Sequence, residues 1–239
     1  MNQLARKKNQ NNDKTLTAKR RLVTHTNPKL PVAEQYRTIR SNIQFSNLES
    51  DVRSLVMTSS GPSEGKSTTA ANLAIVYAQQ DKKVLLVDAD LRKPTAHFSF
   101  RLENHIGFTN VLTRKVQLLE AVSETEIPNL SVLTSGPIPP NPSELLASKN
   151  MDALLEEMYE HFDFILFDTP PTLAVTDAQI LSNKVEATIL VVSSGKTDKA
   201  AARKAKELLL NAKARLLGVI LNDRKIEDGG SYYYYYGTN

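Results

Sequence analysis

From Asp51 onward, short and nearly continuous apolar runs alternate with longer stretches whose apolar residues recur at helical spacing. The runs near 54–58, 84–88, 130–134, 164–168, 188–192 and 217–221 are rich in Val, Ile, Leu and Phe, as strands covered on both faces must be. Strands alternating with helices in this way predict repeated βαβ units. The fold class expected is therefore α/β, a mostly parallel sheet flanked by helices on both faces.

Between the strands, Ala70, Ala71, Leu73, Ala74 and Val76 to Ala78 predict a closely packed helix that ends in the charged turn at 81–83. A second helix is expected from Ser143, after the proline cluster at 137–142, which is read as non-helical. The alanine- and lysine-rich stretch 198–212 predicts a third, with a solvated outer side. Ahead of the sheet, Val32, Ile39, Ile43 and Phe45 mark a separate helix over 32–45. On it Glu34, Arg37 and Arg40 recur every third position as a polar stripe, and by spacing alone internal pairing is the favoured reading. The pattern fails after Asn222, where Gly229 and Gly230 precede five consecutive tyrosines, Tyr232, Tyr233, Tyr234, Tyr235 and Tyr236. A strand packing one face would alternate, so this run is not an ordinary core strand.

A chain of 239 residues suffices for one large α/β domain. There is no cysteine, which excludes disulfides and thiolate metal sites and fits a reducing compartment. No apolar run reaches the roughly 18 residues that span a bilayer, and a soluble protein is expected unless a partner recruits it. The net charge of +4 is uneven, with Arg6, Lys7, Lys8, Lys14, Lys19, Arg20 and Arg21 crowded into a start rich in Asn and Gln. Residues 1–30 are read as a flexible basic arm for which no specific nucleic-acid contact is expected.

The chemistry concentrates in Ser60-Gly61-Pro62-Ser63-Glu64-Gly65-Lys66-Ser67-Thr68, which lies between a predicted strand and a predicted helix, the context of a phosphate-binding loop. Gly65 lets the backbone approach an anion, and the N–H groups of the helix start face it with the positive end of the helix dipole. Lys66 is placed to reach the β- and γ-phosphates of ATP, and the Ser67 hydroxyl to bind Mg²⁺. Ser60 stands where the usual loop has its first glycine, the one local misfit. Two predicted strands end in Asp88-Ala89-Asp90 and in Asp168-Thr169-Pro170-Pro171, so hard oxygen donors emerge where ligands of open parallel sheets bind. Asp88 and Asp168 are the metal candidates, with Asp90 beside them. Arg92 and Lys93 follow directly, as charge for the transferred group or as solvated side chains.

These residues allow a switching nucleotide hydrolase, a phosphotransferase or a nucleotide-bound scaffold. The tyrosine run favours transfer, because a phenol on a tail is an acceptor that can be brought in line with a γ-phosphate. The chain resembles the bacterial tyrosine autokinases of capsule and exopolysaccharide synthesis, on Glu34-Gln35-Tyr36-Arg37-Thr38-Ile39-Arg40, the loop ending Glu64-Gly65-Lys66-Ser67-Thr68, Val87-Asp88-Ala89-Asp90-Leu91-Arg92-Lys93-Pro94, Thr134-Ser135-Gly136-Pro137, Phe167-Asp168-Thr169-Pro170-Pro171 and the terminal tyrosines. The resemblance implies a P-loop kinase domain over 31–224 and a flexible acceptor tail over 225–239. It places Lys66 and Ser67 in Walker A, Asp88 and Asp90 in the family's second acidic motif, and Asp168 in Walker B. Asp88 is the choice for the base, and Asn222 matches the position expected to contact adenine.

The resemblance also recasts Glu34, Arg37 and Arg40, on a helix over 31–46, as a subunit contact closing a homo-oligomeric ring in which one tail enters its neighbour's site. About twelve residues beyond Arg224 span at most about 40 Å, enough for a neighbour's site or for the chain's own. It further implies a cytoplasmic protein drawn to the inner face of the membrane by a transmembrane adaptor, acting on protein tyrosines. The alternative is a switch ATPase of the chromosome- and septum-positioning type, against which stands Gly61 where those proteins carry a second lysine.

Overall fold

The computed structural model describes residues 22–46 and 51–224. The basic cluster from Arg6 to Arg21 and the tyrosines Tyr232 to Tyr236 lie outside the described residues. Among those described, two helices precede the sheet, α1 (Val23–Thr26) and α2 (Pro31–Phe45). Strand β1 (Ser54–Ser59) leads into α3 (Lys66–Ala78) and β2 (Val84–Asp88). Three short helices follow, α4 (Ala96–Phe100), α5 (Phe108–Leu112) and α6 (Leu118–Ala121), then β3 (Ser123–Glu124) and β4 (Leu130–Leu133). The remainder is α7 (Pro142–Ala147), α8 (Lys149–His161), β5 (Phe164–Asp168), α9 (Asp177–Lys184), β6 (Ala187–Ser193), α10 (Lys199–Asn211) and β7 (Leu216–Asn222).

The strands form one sheet in the order β3-β4-β2-β5-β1-β6-β7. Every pairing is parallel except that of β3 with β4. The strict alternation of side chains sorts the apolar runs onto two faces. Leu55, Met57, Val84, Leu86, Phe164 and Leu166 pack with α3 and with Tyr36 and Ile43 of α2. Val56, Leu85, Val87, Ile165 and Phe167 face the other way, onto Phe108, Leu146, Met151 and Met158. Tyr77 of α3 stacks flat on Phe164, with ring centroids 3.8 Å apart, closing the first of these layers.

Three boundaries differ from the pattern reading. Pro142 is the first residue of α7 rather than part of a non-helical lead-in, because a proline at that position forfeits no intrahelical hydrogen bond. The single helix expected from Ser143 is two, separated at Ser148, whose extended backbone ends α7 and opens α8. Residues 22–30 belong to the folded domain and not to the arm. Thr24 is fully buried against Asn72 of α3, its N–H and hydroxyl donating to Asn72 Oδ1 at 3.0 and 2.9 Å.

This buried contact is a polar one, so removing the Asn72 side chain strands the Thr24 N–H and leaves the hydroxyl only its longer bond to the Asn72 carbonyl at 3.3 Å. Asn72→Ala is expected to lower the unfolding free energy by about 1–3 kcal/mol in a urea titration, whereas Lys29→Ala on the exposed surface leaves it within about 0.5 kcal/mol.

Candidate active site

Strands β2, β5 and β1 are neighbours, and their C-terminal ends deliver the chemistry to one edge. Asp88 and Asp168 are directly paired in register across β2 and β5. Met57 of β1 pairs with Asp168, and the loop leaving β1 turns over that edge into α3.

The loop is held by its own side chains. Ser60 is buried, and its N–H and hydroxyl both donate to the Glu64 carboxylate at 2.8–2.9 Å. Thr197, in the connection from β6 to α10, donates to the same carboxylate at 2.7 Å, and Lys196 Nζ binds the Ser63 carbonyl at 2.7 Å. The serine that reads as a misfit in sequence is therefore one end of a clasp that closes the loop. Gly65 has φ +92°, and a Cβ there would stand 2.0 Å from Asn222 Nδ2, so only glycine fits. Asn222, at the end of β7, donates to the Glu64 carbonyl at 3.1 Å, which sets it against the loop. No side chain caps the first turn of α3, whose N–H groups face the same edge.

Lys66 lies between carboxylates, with Nζ 3.2 Å from Asp168, 3.3 Å from Asp90 and 3.1 Å from the Ser67 hydroxyl. Burial pulls its pKa down, but Asp168, Asp90 and Asp88 outweigh this and hold it above the ordinary lysine value. Asp88 is fully buried; its Oδ2 accepts the Thr95 and Ala96 N–H groups at 2.8 Å and its Oδ1 that of Asp90 at 3.3 Å. Burial first, and then Asp168, raise its pKa to about 7. Asp90 Oδ1 accepts the Lys93 N–H at 3.0 Å, which turns its other oxygen toward Lys66. The Ser67 hydroxyl and the carboxylates of Asp168 and Asp90 gather around the Lys66 ammonium, oxygens of the kind that Mg²⁺ takes together with phosphate, although among the described residues no three carboxylates already form a metal site.

Arg92 does not point a charge at the transferred group. It is bidentate to Asp177, Nε to Oδ2 at 2.9 Å and Nη2 to Oδ1 at 3.0 Å. The stripe on α2 is also engaged within the chain: Arg37 pairs with Glu34 and donates to the Pro28 carbonyl at 3.0 Å, and Arg40 donates to the Val76 carbonyl at 2.6 Å.

A family model described as an AAA domain matches residues 52–209. Tyrosine-protein kinase YwqD of Bacillus subtilis (strain 168) is 55% identical over 92% of both chains. The chain belongs to the bacterial tyrosine-protein kinases. The crystal structure of the chimerical protein CapA2B2 superposes on this family member with a TM-score of 0.83 at 45% identity, over 86% of this chain and 90% of that one. A more distant solved structure, the septum site-determining protein MinD of Pyrococcus horikoshii OT3 complexed with Mg-ADP, has a TM-score of 0.61 at 25% identity over 71% of this chain and 69% of its own. The P-loop NTPase fold expected from the sequence is thus the fold observed.

In this kinase fold the sequence-predicted Lys66, Ser67, Asp88, Asp90, Asp168 and Asn222 come together at one edge. Glu34, Arg37 and Arg40 lie on α2, outside that cluster. Sequence reasoning missed Thr197, Asp177 and Ser143. Thr197 precedes the aspartate that caps α10, and Asp177 opens α9 after the segment that leaves β5, and both are weak positional signals.

Asp88 gives the ligand-free chain a defined pH response. With a folded value of about 7 against 3.8 for the free side chain, the folded state holds a proton that the unfolded chain has lost between those values. Stability contributed by Asp88 is therefore full at low pH and falls as pH rises toward 7, by at most about 1.4 kcal/mol per unit. Urea titrations from about pH 5 to about pH 8 are expected to show a steeper decline for wild type than for Asp88→Asn.

Proposed function

We propose that this chain is an ATP-dependent protein-tyrosine kinase that phosphorylates the tyrosines Tyr232 to Tyr236 of another copy of itself. The observation that carries the reading is the buried cluster of Lys66, Asp90 and Asp168 at the head of α3, in a chain closely related to named tyrosine kinases. Gly61, Pro62, Ser63, Glu64, Gly65 and Thr68 shape the loop around the phosphates, and Lys66 leaves Asp90 and Asp168 to reach the β- and γ-phosphates. Mg²⁺ supplies charge neutralisation on those oxygens when bound, held by Ser67 and Asp168 with Asp88 in reach. The phenol oxygen attacks the γ-phosphorus, the bond to the bridging oxygen of ADP breaks, and the phenol proton passes to Asp88. Asn222, which bonds to the loop backbone, contacts adenine in this reading.

The α2 stripe of Glu34, Arg37 and Arg40 serves in this reading as a ring contact. The internal partners of Arg37 and Arg40 set its resting geometry, and the Glu34 side chain remains mostly exposed for a neighbour. A transmembrane adaptor recruits the kinase to the inner face of the membrane and activates it, and the output is control of polysaccharide synthesis. Membership of the tyrosine kinases, together with Gly61 in place of a second loop lysine, favours this over a MinD-like switch ATPase.

Incubation with ATP, Mg²⁺ and a peptide from a cognate adaptor tail is expected to place phosphate on Tyr232 to Tyr236, read by mass spectrometry. Lys66→Met should reduce the rate roughly 100-fold or more. Mixing Lys66→Met carrying an intact tail with active chain lacking its tail should label the inactive partner. Label on serine alone, or ATP turnover with no phosphotyrosine, contradicts the reading.

A further inference from the structure

Asp177 is fully buried, the first residue of α9, and it is bound from two other segments of the chain. Arg92 reaches it from the loop after β2, through Nε at 2.9 Å and Nη2 at 3.0 Å. Ser143, the second residue of α7, donates its hydroxyl to Asp177 Oδ1 at 2.6 Å and accepts from Arg92 Nη2 at 3.1 Å. Thr176 adds a hydroxyl contact to Ser143 at 3.3 Å. One carboxylate thus ties together the segments that leave the C-terminal ends of β2, β4 and β5.

A buried carboxylate is costly unless its lone pairs are taken by charged or strong donors. A planar guanidinium supplies two at fixed separation, which a lysine in the same place cannot. Two oxygens held by a fork fix orientation as well as distance.

The position of this fork relative to the site gives it consequence. Arg92 is two residues beyond Asp90. The chain turns tightly over 90–93, where the Lys93 N–H binds Asp90 Oδ1 at 3.0 Å and Oδ2 faces Lys66 at 3.3 Å. Asp177 closes the segment that starts at Asp168, the other carboxylate on Lys66. Anchoring Arg92 to Asp177 therefore sets the separation between the Asp90 turn and the Asp168 strand end, the two sides that a metal and the Lys66 ammonium must fit between.

We propose that Arg92 and Asp177 are positioning residues for the metal-binding carboxylates: their ion pair, completed by Ser143, holds Asp90 in register with Asp168 and thereby sets the affinity of the nucleotide site for Mg²⁺. The proposal rests on the kinase reading for its effect on turnover, but its effect on metal-dependent nucleotide binding stands apart from that reading. Neither residue bonds to the phosphate-binding loop directly, so breaking the pair falls more heavily on metal-dependent than on metal-free nucleotide binding.

The test uses the full chain and four variants: Asp177→Asn, Arg92→Lys, the double variant, and Lys184→Gln, which removes the α9–α8 ion pair with Asp152 at the other end of the same helix. Each is titrated with a fluorescent ATP analogue with and without Mg²⁺ and assayed for transfer to tyrosine. For Asp177→Asn and Arg92→Lys, kcat is expected to fall about 10- to 100-fold, the cost of misplacing reacting groups by about an ångström. The Mg²⁺ concentration for half-maximal binding is expected to rise several-fold, and metal-free binding to stay within about threefold of wild type. The double variant should be no worse than the worse single one, as for two residues acting as a unit, and Lys184→Gln should match wild type.

Wild-type Mg²⁺ dependence in both single variants overturns the proposal. So does a loss of metal-free binding equal to the loss with metal, accompanied by a lower unfolding temperature, since that is the signature of general loosening. If the wild type itself transfers nothing to tyrosine, the kinase reading fails while the Mg²⁺ titrations still decide the role of the pair.

Discussion

A single buried ammonium has to be compensated at the edge of this sheet, and the arrangement around it follows from that need. Lys66 sits at the first position of α3, where the helix dipole already favours negative charge, and it is held between Asp90 and Asp168. Burial alone would lower its pKa, and Asp168, Asp90 and Asp88 outweigh that and hold it above the ordinary lysine value. Burial and then Asp168 raise the pKa of the neighbouring Asp88 to about 7.

The order of the strands makes this cluster from residues far apart in sequence. Because β5 lies between β2 and β1, Asp88, Asp168 and the loop after β1 reach the same edge side by side. The two faces of the sheet fix the register of these strands, since each sends alternate residues into two separate apolar layers and a slip by one position would exchange them. Local devices then do the fine placement: the Ser60–Glu64–Thr197 clasp closes the loop, and the Arg92–Asp177 fork holds the turn that carries Asp90.

Much of this was legible in the sequence. Six strands announce themselves as apolar runs, and the phosphate loop and the strand-terminal aspartates are local signals whose meeting follows from a parallel sheet. The two-residue β3 and the short helices α4, α5 and α6 are too brief to show a period. The docking of Thr24 on Asn72 depends on residues 48 positions apart, and the fork joins residues 85 apart, so neither leaves a local trace. Ser60 was visible but misjudged: a hydroxyl in place of a glycine reads as a defect until the direction of the Glu64 side chain is known. Arg92 was likewise noticed for its charge, and only the fold shows that the charge is already committed to Asp177.

The claim on which the account turns is that the carboxylates around Lys66 form a site for metal together with nucleotide. Isothermal titration of ATP, with and without Mg²⁺, into wild type and Asp168→Asn tests it most directly. The account predicts that Mg²⁺ tightens binding to the wild type by at least about tenfold and that Asp168→Asn abolishes this gain while retaining binding of free ATP. An equal gain from Mg²⁺ in both proteins would contradict it.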